Sequence, residues 1–178
     1  MRSVLKIVGG LLAALLLVIA GLLVGARFAD GPLAIMAGGP FTSGELVTGP
    51  EPDWSFVNDV GEVEFQLLEP ARSRTTWILH HEGKAYIPCG YMTTWWGKIW
   101  KQWPHYLVDD DRVILRIDGN LYQQRMIRLM DHPQLLEFMT IFRQKYGAAA
   151  ESDVTVEQLR EALTLGDYWL FEVVDRET

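Results

Sequence analysis

Residues Arg74–Leu129 read RTTWILHHEGKAYIPCGYMTTWWGKIWKQWPHYLVDDDRVILRIDGNLYQQRMIRL. Two hairpins flank a connector in this stretch. Thr75–His80 and Lys84–Pro88 are strand-like runs around Glu82-Gly83. Arg112–Ile117 and Leu121–Leu129 repeat the arrangement around Asp118-Gly119-Asn120, where Gly and Asn suit the positive φ of a tight turn. Between them, Tyr91–Asp109 is rich in Trp and Lys and carries no strand alternation, so it predicts a helical connector. Successive hairpins imply antiparallel pairing, and closure into a small barrel would remove the exposed edges.

Working outward, Glu62–Leu68 alternates Val63, Phe65 and Leu67 with Glu62, Glu64 and Gln66, the period of a half-buried strand. Trp54–Val57 reads as a short strand before it. On the far side, Asp131 is placed to cap a helix starting near Pro133, with Leu135, Leu136, Met139 and Phe142 as its apolar face and Gly147 after its end. Thr155 and Gln158 form a capping-box pattern for a second helix that Gly166 stops. Asp167–Val174 reads as a final strand. The expected class is mainly β with short helices (α+β), about six strands in one antiparallel sheet.

The N-terminus is of another kind. Ile7–Ala26 is an uncharged run of twenty residues. As a helix it would span about 30 Å, the thickness of a bilayer's hydrocarbon core. Residues 1–26 are therefore expected to be a transmembrane anchor; a signal peptide with a small-residue cleavage site at Val24-Gly25-Ala26 competes. Arg2 and Lys6 precede the run, while Arg27 and then Asp30 follow it, so the positive-inside rule puts the domain on the extracytoplasmic side. Residues 27–53, punctuated by Gly31-Pro32, Gly38-Gly39-Pro40 and Gly49-Pro50, read as a tether that lies on the domain or links it to the bilayer. Residues 54–178 make the barrel domain.

Composition excludes some functions. The chain carries a net charge of −7, and its first 26 residues hold two basic groups and no acid, so the rest is more acidic still. That is the wrong sign for long nucleic acid. Cys89 is the only cysteine, so an intrachain disulfide is excluded. No dinucleotide, P-loop, nucleophile-elbow or zinc-protease motif occurs, and no catalytic residue is assigned. His80 and His81 are adjacent, so on a strand they face opposite sides, and no metal site is expected.

The stretch Arg72–Tyr146 resembles the flavin-binding split β-barrels, the pyridoxamine-phosphate-oxidase-like proteins and their deazaflavin-dependent nitroreductase relatives. The resemblance rests on Arg74-Thr75-Thr76 opening a strand, on Pro88-Cys89-Gly90-Tyr91 ending the next, on Lys98, Lys101, Trp103 and His105 in the connector, and on Asp110-Asp111-Arg112-Val113 entering a later strand. The chain departs from the pattern in its longer, more aromatic connector and in Leu68–Ser73, where Glu69 replaces part of a Gly-rich basic turn. The resemblance implies a six-stranded split barrel binding FMN or a deazaflavin. Arg74, Thr75, Lys98 and Lys101 would hold the phosphate; Cys89, Gly90 and Trp103 would line the ring. It further implies an oxidoreductase acting on a small-molecule acceptor, and pairing as a homodimer.

One feature of the connector supports a different use. Trp96, Trp100 and Trp103 are spaced to share a helical face, with Lys98 and Lys101 off it. Tryptophan with lysine is the composition of an interfacial helix. The alternative function is a cofactor-free, envelope-associated module that docks membrane lipid or a protein partner through this face. Packing of the stripe over a barrel end is a third outcome.

Overall fold

The computed structural model describes residues 2–147 and 154–176. A helix α1 (Arg2–Ala26) precedes a two-residue strand β1 (Glu45–Leu46) and a 3-10 helix (Trp54–Asp59). Strands β2 (Val63–Leu67), β3 (Arg72–Thr76), β4 (Leu79–His81) and β5 (Lys84–Cys89) come next. Helices α2 (Gly97–Trp100) and α3 (Trp103–Asp109) lead to the hairpin of β6 (Arg112–Ile117) and β7 (Asn120–Leu129). Helices α4 (Leu135–Tyr146) and α5 (Val156–Leu165) then precede β8 (Trp169–Asp175).

The sheet order is β3-β2-β6-β7-β8-β5-β4, antiparallel throughout, with β1 added parallel to β7. Its two outer strands, β3 and β4, are joined in the chain by only Trp77 and Ile78. Two residues span a few ångströms, so the sheet must curl until its edges meet. This is a split β-barrel, as the resemblance implied, with eight strands rather than six.

The hairpins form where expected. His81 pairs with Lys84 across Glu82-Gly83, and Ile117 with Asn120 across Asp118-Gly119. Both loop residues of each turn have positive φ, so the second turn draws on Asp118 and Gly119, while Asn120 already belongs to β7.

Two of the expected strands are corrected. Trp54–Val57 is part of the 3-10 helix: Asp53 accepts from the Ser55 amide at its start, and Trp54 and Val57, three residues apart, both bury into the core. The run Thr75–His80 is not one strand of a hairpin. It breaks at Trp77-Ile78, where the chain changes sheet edges. There the Ile78 amide donates to Tyr146 Oη at 3.0 Å and its carbonyl accepts from Lys145 Nζ at 2.8 Å. Side chains at the end of α4 thus satisfy backbone groups that a ladder would otherwise pair.

Two apolar layers form. Inside the barrel, alternate residues of each strand meet: Phe65, Ile87, Leu115, Met126 and Phe171 are buried there. Outside it, Leu79, Tyr86 and Leu170 meet Leu135 and Phe138 of α4 and Leu163 of α5. β5 therefore has both faces covered, and its sequence KAYIPC reads apolar almost without alternation. The capping box at Thr155 and the left-handed Gly166 hold α5 as its sequence predicts. Asp131 does not cap α4. It accepts from the His132 amide and from Arg160, and Gln134 precedes the helix without a side-chain cap.

Residues 27–46 are strapped to the barrel rather than hanging free. Asp30 accepts from the Thr42 amide and from Arg116 Nη1 at 2.9 Å. Gly38 and Ser73 exchange backbone hydrogen bonds, and Ser73 Oγ donates to the Gly39 carbonyl at 2.6 Å. Val4–Ala26 is long and apolar enough to cross a membrane, and its side chains are exposed on every side except at Ala26.

Candidate functional site

Because the barrel interior is filled, the space for a ligand lies outside it. A cavity of about 1020 Å³ opens between the outer face of β4, β5 and β8 and the helices α4 and α5. That is the upper end of the usual small-molecule range of about 300–1,000 Å³. Pro88 and Gly90 form its floor, Phe138 and Leu159 its roof. Thr75, Thr76 and Trp77 close one side as the chain leaves β3, and Ala34 and Ile35 of the strap border it too. The lining is mostly apolar; Lys101, Arg143, Glu62 and Asp167 bring charge to it.

The segment 90–97 is tightly built. A Cβ on Gly90 would lie 3.3 Å from the Tyr168 ring, so glycine there lets the ring lie close against the strand end. A Cβ on Gly97 would fall 1.7 Å from the Tyr91 carbonyl oxygen. Thr94 Oγ1 donates to that carbonyl and accepts from the Gly97 amide, while Thr93 is held to Asp167 by hydroxyl and amide alike. The loop is therefore a fixed wall.

Of the seven residues singled out from sequence, Thr75, Gly90 and Lys101 border this cavity. Arg74 does not. It pairs in register with Phe65, whose side chain is in the barrel core, so strand alternation turns Arg74 away from Thr75. Its Nε is buried without a hydrogen-bond partner, and burial, reinforced by Arg72, lowers its pKa. Cys89 and Trp103 belong to the barrel core. Burial pushes the Cys89 thiol up to about 11, with Lys101 opposing part of the rise. Lys98 is exposed on α2 and lies outside the cavity lining.

The tryptophan stripe does not form. The connector breaks at Lys101 and Gln102 into two short helices. Trp103 turns into the core, 4.7 Å from Phe65 between ring centroids, whereas Trp96 packs on Tyr91 at the surface. Proline at the second position of α3 favours a fresh helix start there. Sequence reading missed Trp77, Phe138, Tyr168 and Arg143 as cavity residues. Phe138 carried a signal, three residues after Leu135; instead Leu136, expected on the apolar face, is exposed.

A second depression, about 1060 Å³ and wide open, runs past Glu69, Pro70, Asp109 and Arg112. Its acids and shallow form suit an apolar ligand poorly. Two acids of the run Asp109–Asp111 are spent on structure: Asp110 chelates Arg112 and Asp111 chelates Arg125.

The donor set of the apolar cavity beneath α4 and α5 can be set against a flavin phosphate and ring. A phosphate needs cations and hydroxyl donors, which Lys101 and Thr76 supply; the Thr75 hydroxyl, which donates to the Ala34 carbonyl at 3.4 Å, would have to turn to join them. A flat ring needs flat apolar walls, which Trp77, Pro88 and Tyr168 supply. The residues present fit such a group, with Lys101 alone of the three expected cations, Arg74, Lys98 and Lys101, at the cavity.

No family model matches the chain, and no curated protein matches it. Solved structures of similar chain path include a conserved hypothetical protein of Mycobacterium tuberculosis, at a TM-score of 0.44 and 12% identity over 73% of this chain and 86% of that one. A candidate pyridoxamine 5'-phosphate oxidase of Listeria innocua gives 0.42 and 10% over 65% and 82%. A NimC/NimA family protein of Clostridium acetobutylicum gives 0.40 and 9% over 69% and 82%. At these values the likeness fixes neither ligand nor activity.

Proposed function

We propose that this chain is a membrane-anchored split-barrel protein that binds FMN or a deazaflavin in the cavity beneath α4 and α5 and serves as an oxidoreductase for a small acceptor. One observation carries the reading. Thr75, Gly90 and Lys101, singled out from three separate stretches of sequence, border one apolar cavity of flavin size. The chain's part is to bind and orient. Lys101 with the Thr75 and Thr76 hydroxyls would hold the phosphate, and Gly90, having no side chain, would let a ring approach the end of β5. α4 and α5 would exclude water from it. A bound flavin supplies the electron-transfer chemistry, so no protein nucleophile is required. The charges flanking α1 favour the domain on the extracytoplasmic side.

The test is spectroscopic. Full-length chain in detergent is incubated with FMN or a deazaflavin, passed through gel filtration, and scanned from the near ultraviolet to the blue. Retained chromophore is the expected result, weakened about tenfold or more by Lys101→Ala, the scale of one charge-assisted hydrogen bond. Folded protein that retains neither compound would defeat the cofactor reading and leave a cofactor-free binding module.

A further inference from the structure

The strap decides how the barrel sits. Beyond Ala26 the backbone keeps turning: the amides of Arg27, Phe28 and Ala29 donate to the carbonyls of Val24, Gly25 and Ala26. Asp30 is then pinned to Arg116 of β6 and to Thr42. Four residues reach at most about 14 Å. If α1 spans a bilayer, the barrel attaches within that distance of its surface, too short a link to swing on.

Outside α1, six large apolar side chains are at least 70% exposed; Val108 and Leu165 stand singly, and the other four lie in two stretches of chain. Phe28 is 84% exposed, and Ile35, at the tip of the Leu33–Met36 turn, is 77% exposed. In the connector, Trp95 is 78% and Ile99 71% exposed. The two groups are linked by the cavity: Ile35 borders it directly, and so does Tyr91, on which Trp96 packs. Arg27 and Lys98, both exposed, stand beside them in the chain and are able to reach lipid phosphates.

We infer that the barrel docks on the bilayer in which α1 is anchored, with Phe28, Ile35, Trp95 and Ile99 at the boundary of headgroups and acyl chains and the cavity opening at that interface. The occupant of this surface is lipid, because the chain itself delivers the face to a membrane within four residues. The inference rests on α1 as a membrane span and is independent of the cofactor. The domain's acidic balance opposes attraction to anionic lipid, so apolar burial drives docking and a zwitterionic bilayer suffices.

The experiment is site-directed spin labelling of the full chain in phosphatidylcholine nanodiscs. Cys89 is buried and is not labelled in the folded chain. Ile35→Cys and Ile99→Cys probe the face; Ser55→Cys, exposed in the 3-10 helix beside the Glu82-Gly83 turn at the far end of β5, is the reference. The expected result is preferential collision with oxygen at 35 and 99 and with a water-soluble nickel chelate at 55. Nickel-accessible labels at all three positions would overturn docking, as would immobile, oxygen-poor labels at 35 and 99, the mark of a protein partner. Flotation of the same chain with liposomes separates the failures: chain that floats with water-exposed labels is anchored and undocked, whereas chain that does not float removes the anchor and the docking together.

Discussion

Tyr146 stacks on Trp77, ring centroids 4.8 Å apart and planes 21° from parallel. The pair marks where the chain leaves one edge of the sheet and begins the other. Tyr146 Oη accepts from the Ile78 amide and lies 2.9 Å from the Gly61 carbonyl, so one hydroxyl ties α4 to the crossing. Tyr146→Phe keeps the stack and orphans these groups. A loss of about 1–2 kcal/mol is expected, read from denaturant unfolding of the detergent-solubilised chain. An unchanged midpoint would show that water takes the hydroxyl's place.

Gly38 has no room for a side chain. A Cβ there would fall 1.7 Å from the Gly31 carbonyl oxygen, backbone against backbone. Gly38→Ala should force the strap off Ser73 at a cost of about 1–3 kcal/mol. Limited proteolysis should then cut within residues 27–46 while the barrel stays resistant. Cleavage equal to that of the parent chain would show the strap able to adjust.

Asp30 supplies the acid dependence of that strap. The Ser43 hydroxyl first, then the Thr42 amide and Arg116, hold its carboxyl far below the ordinary 3.8. A depressed folded pKa gives stability that is complete above the unfolded value and is lost as the pH falls below it. The advantage of the parent chain over Asp30→Asn should be full at neutral pH and shrink below 3.8. Amide exchange of residues 27–46 measured at both pH values checks this. A difference between the two chains independent of pH would remove the charge from the account.

Cys89 should be inert in the folded chain. Its thiol is buried, pushed up to about 11, and placed in the barrel core. Alkylation should proceed at the rate of unfolding, and Cys89→Ala should leave chromophore retention unchanged. Rapid labelling under native conditions, or cofactor loss in the variant, would return Cys89 to the cavity wall.

What the sequence disclosed follows from local chemistry. Glu82-Gly83 and Asp118-Gly119 mark turns because their backbone conformation selects residue types. Thr155 and Gln158 mark a helix start for the same reason. The break at Trp77-Ile78 has no such mark: β-prone residues run through it, and the change of sheet edge is decided by Lys145 and Tyr146, almost seventy residues on. The site divided likewise. Thr75, Gly90 and Lys101 came from the resemblance to the flavin-binding split barrels. Arg74 separated from Thr75 because adjacent strand residues face opposite ways, and which way is inward depends on the pairing with β2.

The position of β8 has a consequence for biosynthesis. It follows the other seven strands in chain order, yet it lies mid-sheet, bonded to β7 on one side and β5 on the other. Until it is made, the β2-β3-β6-β7 portion and the β4-β5 hairpin share no ladder, and Ile87 and Met126 lack the neighbour that buries them both. A chain emerging beside a membrane would therefore expose two open strand edges through most of its synthesis. Closure would come in one late step, with both edges left open until Trp169–Asp175 is inserted.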